Sequence, residues 1–127
     1  MNDQEFNSIL VLPGPKRYSY FVKRVVDWSH LYVLDDGGWL TVGDDDDERL
    51  LPVWSHPRFA MACASGEWSS ATAKETGIQS FLEETIPNLI SDGLQLAIMM
   101  TPGGRGVVVD PRHFRGDVEQ ELADWYE

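Results

Sequence analysis

Proline and glycine divide this chain into short segments, each with either helical or strand-like periodicity. Residues 94–100 are the most restrictive of these segments, because they are apolar almost without interruption. An apolar run of this length between turn residues predicts a central strand of a sheet. The glycine-rich turn at 102–106 and the apolar residues 106–109 predict its hairpin partner. The chain is therefore expected to fold around a β-sheet.

Three further strands are predicted upstream of this hairpin, at residues 30–34, 38–42 and 50–54. The first two flank an Asp-Gly pair, which favours a tight hairpin because glycine accepts the positive φ of such turns. Pro52 in the third strand predicts a sheet edge or an early end of the strand, since proline has no backbone N–H to donate. An exposed edge there would let two chains pair as a homodimer. A short strand is also predicted within residues 67–74.

The predicted helices cover residues 15–27, a short stretch from Pro57 towards Gly66, residues 78–92, and the stretch from Pro111 onward. Apolar residues recur at helical spacing in the first and the last of these. Ser55 or His56 is expected to cap the second helix. Thr76 and Gln79 have the spacing of a capping box before the third helix, in which Pro87 predicts a kink.

This order of elements predicts an α+β fold, with a small, mostly antiparallel sheet and helices packed on it. The length of 127 residues is typical of one domain. We assign residues 15–127 to that single domain. Residues 1–14, which a Pro-Gly-Pro sequence closes, are interpreted as a loosely held N-terminal arm.

The cysteine content and the start of the chain indicate a compartment. Cys63 is the only cysteine, so an internal disulfide is excluded, and its small apolar neighbours predict a buried thiol. The acidic start lacks the basic region of a signal peptide. No segment approaches the roughly 18 apolar residues of a membrane span. We therefore expect a cytoplasmic protein that does not enter a membrane.

The net charge of −11 indicates which partners the chain favours. Affinity for phosphate backbones comes mainly from lysine and arginine, so nucleic acid is not an expected partner. An acidic surface attracts cationic proteins instead. The acidic residues that we expect to contribute are Asp44, Asp45, Asp46, Asp47 and Glu48 in one run, and Glu119 and Asp124 in the last helix.

The motifs that would carry catalysis or bind ions are incomplete. A calcium-binding loop beginning at Asp44 would need glycine at its sixth position and glutamate at its twelfth, where this chain has Arg49 and Ser55. The glycine-rich turn at 103–106 lacks the lysine of a phosphate-binding loop and leads into a strand. We therefore interpret the acidic run as a solvated loop and the glycine-rich segment as a hairpin turn.

The histidines and tryptophans complete the set of candidate functional residues. His30, His56 and His113 each lack a second ligand at metal-binding spacing, so structural roles are expected. Five tryptophans are many for this length, and most are expected in the core. One or two at a rim would suit a binding hot spot. We predict no catalytic residues, no metal site and no cofactor.

Several segments in order resemble an uncharacterised bacterial family, the domain-of-unknown-function family 2750. They are residues 17–22, 38–40, 51–57, 81–84, 92–93 and 106–109. The most specific is the sequence Pro-Val-Trp-Ser-His-Pro at 52–57, before a short helix. The likeness runs from about Lys16 to Glu121. The family supplies no established catalytic residues, and some resembling proteins are considered immunity proteins, which bind and block a toxin domain.

These observations lead to one hypothesis and two alternatives. The leading hypothesis is a non-enzymatic protein-binding module, an immunity-type inhibitor of a cationic toxin, which binds through residues 44–48, Trp54, His56, Glu119 and Asp124. The first alternative is a small-molecule-binding or enzymatic domain with a pocket near Trp54, His56 and Arg112. The second is a nucleic-acid binder that uses the basic first helix, residues 15–27.

Overall fold

The computed structural model describes residues 1–43, 48–104 and 106–125. The helical elements are α1 (Asp3–Leu10), α2 (Gly14–Trp28), α3 (Pro57–Ala62), a 3₁₀ turn (Gly66–Trp68), α4 (Ile78–Ser80), a π-helical turn (Phe81–Thr85), α5 (Ile86–Asp92) and α6 (Pro111–Trp125). The strands are β1 (His30–Asp35), β2 (Val42–Gly43), β3 (Arg49–Val53), β4 (Thr72–Gly77), β5 (Gln95–Ile98) and β6 (Val107–Val109).

The strands form two small sheets. Strands β1 and β4 pair antiparallel along their whole length, from His30 opposite Gly77 to Asp35 opposite Thr72. The second sheet has the order β2-β3-β5-β6, in which β3 and β5 run parallel and the other neighbours antiparallel. The predicted α+β class with a mostly antiparallel sheet is therefore confirmed. The predicted central strand at 94–100 is confirmed as β5, which lies between β3 and β6.

Helices α2 and α6 both contribute side chains to the hydrophobic core. Phe21 and Val25 of α2 are fully buried, as are Phe114 and Val118 of α6. The Phe114 ring lies 5.7 Å from that of Phe21 and 6.0 Å, edge to face, from that of Phe81 in the π-helical turn. Aromatic contacts at these spacings add to the free energy of area burial. The apolar periodicity that predicted both helices therefore marks the faces that they bury.

Of the two alternatives predicted at Pro52, the sheet edge is wrong, because β3 lies inside its sheet and Pro52 is buried, whereas the strand does end soon afterwards, at Val53. Backbone N–H groups alternate sides along a strand, so the nitrogen of Pro52 faces the same side as that of Trp54, which donates to the Tyr32 carbonyl at 2.9 Å. On that side β2 pairs only with Arg49 and Leu50. Pro52 thus lies between the residues that pair with β2 and the residue that pairs with Tyr32. Within the described part of the chain, no neighbouring strand offers an acceptor at that point, so the missing N–H costs no hydrogen bond.

The predicted hairpin between residues 30–34 and 38–42 is only partly correct. The chain does turn at Gly37, whose φ is 75°, and Leu40 donates to the Leu34 carbonyl at 2.9 Å. The returning segment then leaves β1 and forms only the two-residue β2, which pairs with β3. Strand β4 pairs along β1 instead. The short strand predicted within residues 67–74 was therefore placed a few residues too early in the sequence.

The capping box predicted at Thr76 is also wrong. Thr76 lies in β4 opposite Leu31, and Gly77, which precedes α4, makes no side-chain cap. The Gln79 side chain bonds Glu83 one turn later instead. The interruption predicted at Pro87 takes the form of the π-helical turn Phe81–Thr85, just before that proline. A π turn widens the helix where the ring of proline would otherwise meet the preceding carbonyl.

The N-terminal arm contains a helix that its composition had not indicated. The side chain of Asn2 accepts a hydrogen bond from the Glu5 N–H at 2.8 Å and so caps α1. None of the residues in α1 is fully buried, although Phe6, Ile9 and Leu10 pack against the core. The arm is therefore ordered by one face of a short helix.

A tight corner at the end of β5 connects α2, β3 and α3. Met99 is buried with a left-handed φ of 53°, which is uncommon for a residue other than glycine. The Met99 carbonyl accepts from the Arg17 Nε at 3.1 Å, and the Met100 carbonyl accepts from the Trp54 indole N–H at 2.9 Å. Gly106 passes so close that a Cβ there would lie 2.8 Å from the Met100 side chain.

Cys63 also faces this corner and is buried, as its sequence neighbours predicted. Its thiol donates to the Met100 carbonyl at 3.3 Å. Burial raises the pKa of Cys63 to about 11, so the thiol stays protonated at neutral pH.

Within the described residues, every helix is too short or too polar to cross a membrane.

Replacing Trp54 with phenylalanine is expected to destabilise the protein by about 1–3 kcal/mol, because it removes the indole donor and leaves the part-buried Met100 carbonyl with only the weaker thiol donor of Cys63. Urea unfolding followed by circular dichroism measures the change. Trp125→Phe is the matched control, since Trp125 is 58% exposed and should change the stability by less than about 0.5 kcal/mol. Equal stability of the Trp54→Phe variant and the parent would contradict the role of this bond.

Candidate functional site

Helix α2 carries a partly exposed aromatic and cationic stripe, which consists of Tyr20, Arg24 and Trp28. These residues recur at every fourth position, so they lie on one face of the helix. The Arg24 guanidinium stands 5.4 Å from the centre of the Tyr20 ring and 5.5 Å from that of Trp28. It also bonds the Asp27 carboxylate at 3.0 Å. Two cation–π contacts and an ion pair hold the α2 stripe in place.

Two histidines border the α2 stripe on one side. The His30 ring stacks on Trp28 at 6.4 Å, and the His56 ring meets Trp28 edge to face at 6.1 Å. His30 also contacts Tyr32 at 5.3 Å, and its Nδ1 lies 3.0 Å from a Glu75 carboxylate oxygen. The end of α2, the start of β1 and the start of α3 thus meet at the indole of Trp28.

His56 caps α3, as the sequence predicted. Its Nδ1 accepts a hydrogen bond from the Arg58 N–H at 3.0 Å, which fixes the neutral tautomer with the proton on Nε2. Burial is the main cause that lowers the pKa of His56, and the N-terminal amino group, Arg58 and His30 lower it further. The Glu5 carboxylate acts in the opposite direction. Protonation of Nδ1 would remove the cap.

The Tyr20 hydroxyl lies beneath this surface, shielded from solvent. It has no hydrogen bond of normal geometry to any described residue, and the same holds for the Nε of Arg24. Burial raises the pKa of Tyr20, and the Glu5 carboxylate adds to this, whereas Arg24 and Ser55 act against it. These two polar groups of the stripe are therefore shielded by the residues around them.

Helix α6 borders the α2 stripe on its other side. Trp125 is 58% exposed and lines one surface cleft together with Tyr20, Arg24 and Glu121. Further along the same pair of helices, the Tyr18 hydroxyl donates to the Asp117 carboxylate at 2.5 Å. Burial and that carboxylate raise the pKa of Tyr18 far above its ordinary value. We call the surface formed by Tyr20, Arg24, Trp28 and Trp125 the α2–α6 surface.

The acidic residues predicted to bind a partner are spread over the molecule. Glu119 pairs with Arg115 at 2.9 Å, and Asp124 accepts from Gln120 at 3.0 Å, both along the exposed side of α6. Glu48 accepts from the Gln95 side chain at 2.7 Å, at the start of β5. The predictions for Asp44, Asp45, Asp46 and Asp47 lie outside the described residues.

The pocket suggested near Trp54, His56 and Arg112 has its members in different settings. Trp54 is fully buried, with its indole N–H bonded to Met100. His56 is half-buried at the α2 stripe, and Arg112 is exposed at the start of α6, 3.6 Å from Asp110. In the described part of the chain, no hydrogen bond, ion pair or ring contact joins any two of these three. Nor do the described residues include a group of three or more His, Cys, Asp or Glu side chains that could hold a metal ion.

Sequence reasoning had left Trp28 and Trp125 unassigned between core and rim, and it had not selected Tyr20 or Arg24. Only Trp54 of the five tryptophans is fully buried. One signal was present in the sequence. Tyr20, Arg24 and Trp28 share a spacing of four residues on the face of α2 that the apolar periodicity leaves outside the core.

Replacing His56 with asparagine is expected to reduce the loss of stability in mild acid. Because the folded state lowers the pKa of His56 below its ordinary value of 6.5, the unfolded chain binds the proton first as the pH falls. The contribution of neutral His56 to the free energy of unfolding is therefore fully present above about pH 6.5 and is lost progressively as the pH falls below that value. Asparagine retains a cap acceptor but does not titrate.

Urea unfolding between pH 7.5 and 5.0 tests this expectation. The free energy of unfolding should fall less steeply for His56→Asn than for the parent. Met61→Ala is the control, because that exposed residue of α3 does not titrate, and it should follow the parent. If the His56→Asn and parent curves run parallel, protonation of His56 does not contribute.

Comparison with known protein families identifies the family of this chain. None of the curated proteins matches this chain. The sequence profile of the family described as "Protein of unknown function (DUF2750)" matches residues 18–118. That range contains all of the α2–α6 surface except Trp125, and it contains both histidines beside Trp28. Because the match covers most of the 127 residues, the chain belongs to the DUF2750 family, as the order of its sequence segments had indicated.

Proposed function

We propose that this protein is a non-enzymatic protein-binding module and that the α2–α6 surface is its binding site. The observation that carries the proposal is the arrangement of Trp28 and Trp125 about Arg24. Arg24 stands over the Trp28 ring and lines the same cleft as Trp125. Tryptophan, tyrosine and arginine are the residues that most often dominate the binding energy of protein interfaces.

The state of these side chains before binding supports the same proposal. Trp28 is 37% exposed and Trp125 is 58% exposed, so both have apolar area that a partner can bury. Arg24 is held by Tyr20, Trp28 and Asp27 in the free protein. A side chain that is already ordered loses less conformational entropy on binding.

The charge around the surface supports a basic partner. Asp27 and Glu121 line the cleft beside Lys23 and Arg24, and the exposed Asp124 precedes Trp125. The whole chain has a net charge of −11, which would speed the approach of a cationic protein. The partner proposed is therefore a basic protein, and specifically the cationic domain of a toxin such as a nuclease, whose phosphate-binding site an acidic inhibitor would cover.

The double substitution Trp28→Ala/Trp125→Ala is expected to weaken the complex by about 30-fold or more, because losing one hot spot costs about 2 kcal/mol. The partner is captured from a lysate of the native host, purified and titrated by calorimetry. Met61→Ala is the matched control, since Met61 is 46% exposed on α3, and its affinity should stay within about twofold of the parent.

The identity of the partner provides an independent test. A captured protein of basic net charge, whose association slows when salt is added or when Glu121 and Asp124 are replaced with lysine, would support the proposal. The immunity role would be supported if the parent chain blocks the activity of the toxin and the double tryptophan variant does not. The proposal is wrong if the captured protein binds the double tryptophan variant and the parent equally well.

A further inference from the structure

Helix α1 docks on the rest of the molecule through Phe6, Ile9 and Leu10, and Phe6 makes its aromatic contact. The Phe6 ring stacks on Phe59 with centroids 5.2 Å apart and an interplanar angle of 22°. The Arg58 guanidinium lies 4.2 Å from the centre of the Phe6 ring and also bonds the Asp3 carboxylate at 2.5 Å. Phe6 is therefore held between a ring and a cation, both of which α3 supplies.

The receiving surface belongs to the family domain, whereas α1 does not. Phe59 and Arg58 lie within the matched range 18–118, as does Tyr20, which meets Phe59 edge to face at 6.4 Å. Helix α1 ends at Leu10, before that range begins. The domain thus has a site for a phenyl ring, which a segment outside the family match occupies.

The helix has little to keep it folded when it is not docked. An isolated helix of eight residues is unstable in water, because too few hydrogen bonds offset the cost of the first turn. The Asp3–Arg58 pair is exposed on the Asp3 side, so it contributes little stability. Helical structure in α1 therefore depends on its docked face, in which Phe6 contacts Phe59 and in which Ile9 and Leu10 also pack against the core.

The linker between α1 and α2 would allow this contact to open. Val11 is 81% exposed, and Pro13 precedes the first turn of α2. The Leu12 carbonyl accepts from the Arg17 Nη1 at 2.8 Å, which holds the end of the linker to α2. Movement about residues 11–12 would release α1 while α2 stays in place.

We propose that α1 is a displaceable ligand of its own chain, and that the Phe59–Arg58 surface is a docking site for a short helix with a phenyl ring and a carboxylate three residues before it. Undocking would expose Phe59, which is 1% accessible in the docked state, next to Tyr20 and His56. The pKa values of both Tyr20 and His56 respond to Glu5 of α1. Docking of α1 therefore alters the border of the α2–α6 surface, although the docking site itself does not depend on the proposed function.

A synthetic peptide of residues 1–12 tests the proposal against full-length protein. The Phe6→Ala chain should bind the labelled peptide saturably in a fluorescence anisotropy titration, because its own α1 no longer fills the site. The parent should bind at least tenfold more weakly, since its tethered α1 competes at an effective concentration of the order of millimolar. Val11→Ala, which alters an exposed linker residue, should behave as the parent.

Two results would overturn the proposal, and a third would overturn the recognition of the phenyl ring. One is equal binding of the peptide to the Phe6→Ala chain and the parent, or no binding to either. The other comes from hydrogen exchange of the unaltered protein, which remains decisive if the variant does not fold. The α1 amides should exchange at least about 100-fold faster than those around Val25 in α2, and equal protection of the two helices would show that α1 opens only with the whole domain. A peptide with Phe6→Ala should not bind the Phe6→Ala chain, and if it does, the phenyl ring is not what the site recognises.

Discussion

The carbonyl groups at the end of β5 are the constraint on which the rest of this structure depends. The left-handed backbone at Met99 ends the central strand and leaves two successive carbonyls for side chains from elsewhere. Arg17 of α2 binds the first, and Trp54, which follows β3, binds the second. A left-handed non-glycine residue costs about 1 kcal/mol or more and persists only where its surroundings hold it. Here the contacts of Met99 connect the sheet to the helix that carries the candidate site.

That corner also positions the histidine at the site. Trp54 is fixed by its indole bond and by its backbone pairing with Tyr32, and Ser55 is fully buried against Met99. His56 therefore lies at the start of α3, in the orientation that caps the helix and contacts Trp28. The buried Trp-Ser pair has a structural role, whereas the surface next to it is formed by residues from α2. Residues 52–55, from the most specific block of the family resemblance, thus form the buried layer on which the candidate site rests.

The elements that sequence reasoning predicted well are those whose signal is local. Apolar periodicity identified α2 and α6, and the apolar run at 94–100 identified β5, because burial of one face or of a whole strand appears directly in the order of residues. The errors concern pairing between distant segments. Nothing near Pro52 indicated that β3 would lie inside a sheet, and nothing near β1 indicated that β4 would displace the returning segment from its hairpin. Strand pairing over such distances depends on which segments fill the core together.

The sequence by itself determined the class of fold, a cap at Ser55 or His56 before α3, the family and the strongly acidic charge, since each of these follows from residue types and short spacings. Only the tertiary structure decided which tryptophans are exposed and which side chains meet. It placed Trp125 beside Arg24 and Phe6 on Phe59, from segments far apart in the chain. The physical reason is that a helix face or a ring stack is chosen by packing against distant residues, which no local pattern encodes.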